Sequence, residues 1–382
     1  MSFSVVHQQE EESEKPPGFS PAHIAPGVKD RPQWLVAVIA NVKGAYHSNE
    51  GPADAGAEYD KPETIQAIRD AIESAGHHST FMNADPQLAF SLRDVNPDIC
   101  FNIAEGNGDD AREAQVPALL AMLRIPYTGS RVLANAISLD KPLTKRLWKE
   151  AGLPVTPYQV FVAGDEPLQK DLHFPLFVKP AMEGTGMGVD LGARVTREEE
   201  LRKRILWVLE TYQQPALVET YLPGREFTVG VLGRPDAKLY TPRPELYRAD
   251  GFHRFPILEI ESHRSVTPGV YGYNAKAIPI QEEGAPAYIS PAPLDPKLAE
   301  RLQKMALAAH KVIGAVDVSR VDIRLSEDGK PFLMEINTLP GLNPAVSDLC
   351  IVSEAEKLPY RDLILEILYL GASRYGMVAP RR

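Results

Sequence analysis

The sequence predicts an α/β layer followed by α+β units, and three observations predict it. Short apolar runs alternate with helical periodicities up to about residue 135. A strand, a Gly-rich loop, a helix and a second strand follow. An apolar hairpin carrying acidic residues lies in the C-terminal third. The 382 residues suffice for two or three domains, and 44% hydrophobic with 24% charged residues allows real cores.

The composition also excludes function classes. A net charge of -10 without any Lys/Arg-rich block gives no footprint for nucleic acid. The two cysteines, Cys100 and Cys350, sit in apolar neighbourhoods and read as buried thiols of a reducing cytoplasm, neither a disulfide framework nor a metal site. No window approaches the ~20 apolar residues of a membrane span, and no signal-peptide core is present. Residues 1–30, rich in Glu, Ser and Pro, read as a disordered tail.

The first layer, residues 31–135, opens with the strand "WLVAVIANV" (Trp34 to Val42). The helix "ETIQAIRDAIESAGH" stops at Gly76, "NPDICFNIAEG" gives a strand and loop, and "AQVPALLAMLRIPYTGS" gives a helix running to a turn at Gly129. The layer is Rossmann-like, but no Gly-x-Gly-x-x-Gly follows its first strand, so a dinucleotide is not indicated. A second unit, 136–222, begins where Asp140 can cap "DKPLTKRLWKEAGLPV", with Pro142 in the first turn. It continues with "FPLFVKP", the loop "AMEGTGMGVD", the helix "REEELRKRILWVLETY" and the strand "ALVETYL". A third unit, 223–382, holds "EFTVGVL", a long connection, the helix "PKLAERLQKMALAAHKVIG", the hairpin and a last helix, "YRDLILEILYLGASRYG".

The hairpin "VDIRLSEDGKPFLMEINTLPG" raises the sharpest chemical question. Glu335 and Asn337 share a strand face, and a two-residue turn at Asp328-Gly329 would bring Asp322 beside them. Bare buried carboxylates are prohibitive, and oxygen donors without His or Cys suit Mg²⁺ held with substrate phosphates. The alternative is a solvent-facing edge with salt bridges. In the loop Glu183-Gly184-Thr185-Gly186, glycine lets backbone N–H groups approach an anion, with Lys179 adding charge; the alternative is an ordinary turn. Lys141, in a helix's first turn, could be a solvated lysine, and Glu219 could be an exposed strand end.

In their order, "IPYTGS", "LDKPLTKRLWKEAGLPV", "FPLFVKPAMEGTGMGV", "ALVETYLPGREFTVGVL", "YNAK", "VSRVDIRL" and "FLMEINTLPGLNP" resemble the ATP-grasp superfamily, most closely its D-alanine–D-alanine ligase branch, from Trp34 to Tyr375. The resemblance implies a three-domain ATP-grasp fold and a cytoplasmic, Mg²⁺-dependent ligase with two ions, Mn²⁺ being an alternative. Such an enzyme joins a small-molecule carboxylate to an amine through an acylphosphate, and a homodimer is possible. It implies that Lys141, Lys179 and Lys276 contact ATP phosphates and that Glu219, Tyr221 and Leu222 form the adenine hinge. Glu183, Gly184 and Gly186 belong to the phosphate loop and Glu226 is the ribose acid. Asp322, Glu335 and Asn337 are the metal ligands. Arg320 lies beside the acyl group, the Gly341 N–H is an oxyanion donor, Glu58 holds the first substrate's amine, and Thr185 stands where the family has serine.

The amino-acid end departs from that pattern. "NIAEGNGDD" has no His where the family has His-Gly, Ala277 replaces a Tyr, and Val346 falls at a Ser that helps to grip the acceptor's carboxylate. The connection from Thr241 to Val270 carries Arg243, Arg248, Arg254 and Arg264, which could grip a larger anionic substrate. The expectation is therefore a ligase of an amino acid with another acyl or amino-acid unit. The alternatives are a genuine D-alanine–D-alanine ligase of cell-wall precursor synthesis and a non-catalytic nucleotide-binding module.

Overall fold

A computed structural model describes residues 33–44, 52–108, 110–262, 265–276, 278 and 282–378. The expected tail, Arg264 and Ala277 lie outside the described residues. The first layer runs β1 (Leu35–Ala40), α1 (Pro62–Glu73), β2 (His78–Asn83), α2 (Leu88–Val95), β3 (Ile99–Asn102), α3 (Gln115–Leu123) and α4 (Val132–Leu139). Its strands form a parallel sheet in the order β2-β1-β3. Alternate side chains of β1 serve opposite cores. Val36 and Val38 share a core with Ile65, Ile68 and Ile72 of α1, while Ala37 and Ile39 share one with Leu88, Leu92, Val116 and Leu120. Burial on both faces explains why β1 reads as an unbroken apolar run. Strand β2, "HSTFMN", has no such run and escapes sequence reading; its pairing along all of β1 defines it.

The second unit comprises α5 (Lys141–Glu150), β4 (Tyr158–Phe161), β5 (Leu176–Pro180), β6 (Arg194–Val195), α6 (Glu198–Tyr212) and β7 (Ala216–Thr220). Its antiparallel sheet has the order β4-β7-β5-β6. Leu201, Ile205 and Val208 of α6 pack with Leu176, Val178, Ala216 and Val218, so Phe177, Lys179, Leu217 and Glu219 belong to the opposite face.

The third unit comprises β8 (Glu226–Gly233), β9 (Phe252–Arg254), β10 (Leu258–Glu261), α7 (Tyr273–Lys276), β11 (Ala287–Ile289), α8 (Pro296–Val312), β12 (Asp317–Leu325), β13 (Pro331–Asn337), α9 (Asp348–Ala355) and α10 (Tyr360–Ser373). The sheet order is β11-β10-β8-β12-β13, with β9 also on β8. Leu302, Met305, Ala306 and Ala309 of α8 pack with Val229, Val231, Val321, Ile323 and Ile336. Arg320, Asp322 and Arg324 alternate with that set on β12 and face the other way. Helix α10 adds Leu363, Ile364, Ile367 and Leu368 to the core of the first layer. Each of these fully buried side chains contributes roughly 1.5–3 kcal/mol. Chain ends far apart in sequence are thereby welded together. Among the described residues, no helix is long and apolar enough to cross a membrane, and both cysteines are buried and free.

Candidate active site

The two antiparallel sheets each hide one face under a helix, and their other faces border a cleft with about 650 Å³ of space not occupied by protein atoms. Lys141, Lys179, Glu183, Gly186, Glu226, Lys276, Asp322 and Glu335 are among the residues that line it.

The hairpin reaches its expected pairing by a route that sequence reading did not foresee. Asp322 faces Glu335 and Arg320 faces Asn337 across β12 and β13. The turn is longer than two residues. The Ser326 carbonyl accepts from the Gly329 N–H at 3.0 Å, and the Lys330 carbonyl accepts from the Ser326 N–H at 2.9 Å. Gly329 takes φ +78°, a conformation that favours glycine. This turn shifts the register by one residue, so Asp322 would face Met334. A bulge opposite the step from Ile323 to Asp322 adds Met334 as an extra residue and restores the pairing with Glu335. Met334 and Glu335 both line the cleft as a result.

Asp322 and Glu335 differ electrostatically. Burial, with repulsion from Glu335, outweighs Arg320 and raises the Asp322 carboxyl to about 6. Its oxygens accept from the Thr228 hydroxyl at 2.6 Å and from Arg320 at 3.0 Å. Burial opposes ionisation of Glu335 too, but Lys141, Lys179, Lys276 and Arg320 hold it well below the usual carboxylate range. Asn337 Nδ2 is buried without a hydrogen-bond partner among the described residues. Two carboxylates and an amide on one face, with a lone cationic field around them, fit a hard divalent ion completed by phosphate and water oxygens.

The lysines arrive from three elements. Asp140 caps α5 by accepting from the Leu143 N–H at 2.8 Å, as its position predicts, and Lys141 follows it. Lys141 is buried rather than solvated; its ammonium donates to the Glu183 carbonyl and lies 3.6 Å from Glu335. Lys179 pairs with Glu219 at 2.7 Å, a diagonal contact between β5 and β7. Glu219 is not an exposed strand end. It is fully buried, and its second oxygen takes Lys145 at 2.9 Å and the Thr156 hydroxyl at 3.1 Å. Lys276 lies 4.6 Å from the centre of the Tyr271 ring and has no carboxylate partner among the described residues.

Glu226 pairs with Arg324 at 3.2 Å, and Tyr221 sits between Phe177 and the guanidinium groups of Arg194 and Arg324, with Leu222 buried beside it. Glu58 lies against the Gly-rich loop, since a Cβ on Gly184 would come within 2.0 Å of its carboxylate. Thr185 adopts φ +50°, and among the described residues its hydroxyl makes no hydrogen bond. Gly341 lies against the Ser347 hydroxyl, which would stand 2.8 Å from a Cβ placed there.

Gly186 and Gly272 make the contact between the Gly-rich loop and the Tyr271–Tyr273 segment. The Gly186 carbonyl accepts from the Tyr273 N–H at 3.1 Å, and a Cβ on Gly272 would fall 1.9 Å from the Val189 carbonyl oxygen. Gly272→Ala must therefore part the two segments. We expect roughly a tenfold or greater loss of magnesium-dependent ADP release with little change in melting temperature. Wild-type turnover in that variant would show that the contact plays no part in closing the cleft.

Several groups escaped sequence reading. Arg112 binds Glu58 at 2.7 Å, Glu183 at 3.0 Å and the Met182 carbonyl at 2.9 Å, tying the first layer to the loop. Asp348, at the start of α9, holds Arg320 at 2.7 Å, so Arg320 lies between two aspartates. Neither pairing has a local motif; both join elements distant in sequence.

The expectation for the connecting arginines is corrected for Arg243, Arg248 and Arg254, Arg264 lying outside the described residues. Arg243 pairs with Asp362 at 2.5 Å and with Glu245, Arg254 pairs with Asp250, and Arg248 donates to Gln303 at 2.9 Å. Their charge is spent on protein carboxylates and an amide, and none lines the cleft, so they do not grip a substrate there. Tyr247 and the Arg243 N–H instead anchor the connection on buried Glu366 of α10.

Comparison with known proteins agrees with this architecture. The family model described as D-ala D-ala ligase C-terminus matches residues 147–369. Protein y4sG of Sinorhizobium fredii is 31% identical over 80% of this chain and 86% of its own. A D-alanine–D-alanine ligase of Aquifex aeolicus is 30% identical over 80% of this chain and 93% of its own. The Bacillus anthracis D-alanine–D-alanine ligase complexed with ATP superposes with a TM-score of 0.65 at 22% identity, covering 90% of this chain and 99% of that one. The chain therefore belongs to the D-alanine–D-alanine ligase family, whose members have the ATP-grasp fold and are ATP- and Mg²⁺-dependent ligases that form C–N bonds.

Proposed function

We propose that this chain joins a carboxylate to an amine with cleavage of ATP to ADP, that one substrate is an amino acid, and that D-alanine with D-alanine is not its working pair. The observation that carries the ligase reading is the gathering of Lys141, Lys179 and Lys276 around the Asp322–Glu335 pair in one cleft. A carboxylate approaches a triphosphate only when the phosphate charge is balanced. Lys141, Lys179 and Lys276 supply that balance, and Lys179 is kept charged because Glu219 and Glu335 outweigh its burial. Asp322, Glu335 and Asn337 would hold Mg²⁺, which supplies further charge neutralisation when bound. Glu219 acts on Lys179 through its side chain, leaving the backbone near Tyr221 and Leu222 for the adenine. Arg320 and the Gly341 N–H would face the oxyanion that develops when the amine attacks, a contribution of roughly 3–4 kcal/mol per donor in comparable sites. The meeting of Gly186 with Gly272 would exclude water from the activated acyl group. The division of labour follows units 31–135, 136–222 and 223–382, with α10 reaching back into the first.

Three features support a pair other than two D-alanines. The segment "NIAEGNGDD" has no His where the family has His-Gly, Val346 is exposed, and Asp348 already occupies one arm of Arg320. The names of the relatives favour the second reading, a D-alanine–D-alanine ligase. Incubation with ATP, Mg²⁺ and D-alanine alone, read by mass spectrometry, separates the two. We expect ADP release at least ~10-fold slower than with the best members of an amino-acid panel, as unpaired polar groups at a recognition site allow. D-alanyl-D-alanine formed as fast as the best panel product would establish the second reading instead.

A further inference from the structure

Arg324 has no part in the chemistry described so far, yet it lines the cleft and is only 8% exposed. It stands on the face of β12 that also carries Arg320 and Asp322, directly opposite Glu226 of β8. A buried guanidinium is costly unless its charge and its N–H groups find partners. Arg324 finds them on three separate segments. Nη1 donates to Glu226 at 3.2 Å, Nε to the Gly224 carbonyl at 3.3 Å, and Nη2 to the Gly269 carbonyl at 2.9 Å. Its guanidinium carbon also lies 5.6 Å from the centre of the Tyr221 ring. Three of its five N–H groups are thereby used, and one remains on each Nη.

Each of the three segments leads to a different part of the cleft. Gly224 ends the turn that follows Tyr221 and Leu222, and it is fixed on β12: its N–H donates to the Leu325 carbonyl at 3.0 Å, and a Cβ there would fall 2.5 Å from that oxygen. Glu226 lines the cleft; Arg324 holds its Oε2, and among the described residues its Oε1 accepts no hydrogen bond. Gly269, at φ +74°, opens the run to Tyr271 and Lys276, which both line the cleft. The same run meets the Gly-rich loop where the Tyr273 N–H donates to the Gly186 carbonyl. A single guanidinium thus joins the end of the hinge, a cleft carboxylate and the segment that carries Lys276. The planar fork allows this; a lysine ammonium is a point charge and would not span the three acceptors.

We propose that Arg324 is a positioning residue for the nucleotide: it aims Glu226 at the ribose hydroxyls and, through the Gly269 carbonyl, ties sugar binding to the seating of the Tyr271–Lys276 run over the phosphates. That role rests on the ligase reading, with Glu226 as the acid that takes the ribose of ATP. One oxygen of Glu226 is held by Arg324 and the other is left for the sugar. The competing role is direct contact between the spare Nη N–H groups and the sugar, and the two roles predict different results when Glu226 is altered first.

The test reads nucleotide binding to the full chain, so it needs neither the acyl substrate nor the amine. Calorimetry compares Kd for Mg²⁺-ATP, 2′-deoxy-ATP and 3′-deoxy-ATP, and hydrogen exchange follows the amides of residues 270–276 with saturating nucleotide. In the wild type at least one deoxy analogue should bind ~10-fold or more weakly than ATP, as loss of a hydrogen bond to a charged group allows. ATP should slow exchange of those amides by ~10-fold. In Arg324→Met the deoxy penalty should fall to about twofold, and the slowing should vanish even at saturating ATP, because Glu226 and Gly269 are both released. Arg324→Lys keeps the charge but has one ammonium for three acceptors; it should retain more of the ribose preference and still lose the slowing. That variant carries the test if melting curves show the methionine variant unfolded. On a Glu226→Gln background, Arg324→Met should change the deoxy ratio by less than ~twofold, since its effect passes through that carboxylate. A wild type blind to both hydroxyls, a deoxy ratio or a slowing unchanged in both Arg324 variants, or the full effect repeated on the Glu226→Gln background overturns the positioning role and leaves the ligase reading intact. A wild type that binds no Mg²⁺-ATP overturns both.

Discussion

Glu335→Gln is expected to abolish turnover, by roughly 10³-fold or more, while the fold persists. The residue sits in the bulge of β13 opposite Asp322, where four cationic groups hold it ionised. Glutamine keeps the shape and the half-buried position but removes the carboxylate charge that lies 3.6 Å from Lys141. Two consequences follow. The oxygen pair offered to a divalent ion loses half its charge, so the magnesium dependence should move to higher concentration. Lys141 also loses its carboxylate partner, while its hydrogen bond to the Glu183 carbonyl remains. The check is magnesium-dependent ADP release over a wide range of metal concentration, together with a melting curve. A variant that keeps wild-type ADP release at low magnesium would remove Glu335 from the metal site.

How much of this was legible in the sequence depends on whether the determinant is local. The Asp140 cap and the apolar run of β1 are local and were read correctly. The facing of Asp322 and Glu335 was also anticipated, although by a two-residue turn. The actual turn is a residue longer, and the bulge at Met334 compensates; two deviations cancel because the acidic pair is what the site needs to align. The ATP-grasp arrangement was carried by motif order, which no propensity contains. Hidden instead were the contacts made across units. Lys145 in "DKPLTKR" reads as a helix surface lysine until α5 is laid against β7, where it becomes fully buried. The spacing Lys141, Thr144, Lys145, Trp148 does mark one buried helix face in retrospect, with polar residues on it. Arg112, Asp348 and the Arg243–Asp362 pair were illegible for the same reason: an ion pair has no sequence signature when its partner is distant. Arg243 misled because one of its carboxylate partners, Asp362, lies 119 residues away, whereas Arg254 spends its charge on Asp250 only four residues away.

Lys145→Met is expected to lower stability by about 3–5 kcal/mol, on the order of 10 °C in melting temperature. Glu219 lies on β7 between Lys145 and Lys179, with neither it nor Lys145 exposed. Burial alone would push the Glu219 carboxyl up, but the two ammonium groups outweigh that and leave it at about 2. Its folded pKa thus lies below the unfolded value of about 4.3. The resulting stability is present above that pH and is lost as pH falls toward 2. Methionine fills much of the volume of Lys145 but brings no charge and no donor. Glu219 then keeps only Lys179 and the Thr156 hydroxyl, and the carbonyl of Leu333 loses the donor it has 3.3 Å away. The destabilisation should be greatest near neutral pH and should shrink below pH 4, because protonated Glu219 no longer needs either lysine. Nucleotide binding should weaken as well: with Lys145 gone, the remaining charge of Lys179 is wholly cancelled by Glu219 instead of being shared with the cleft. Adding Glu219→Gln to the variant should recover part of the stability, since the buried negative charge disappears with it. Melting curves from pH 3 to 8 for the single and double variants provide the measurement. A Lys145→Met protein that melts within 2 °C of wild type at pH 7, beyond the scatter expected of a neutral change of ~0.5 kcal/mol, would mean that Lys179 alone suffices to keep Glu219 charged.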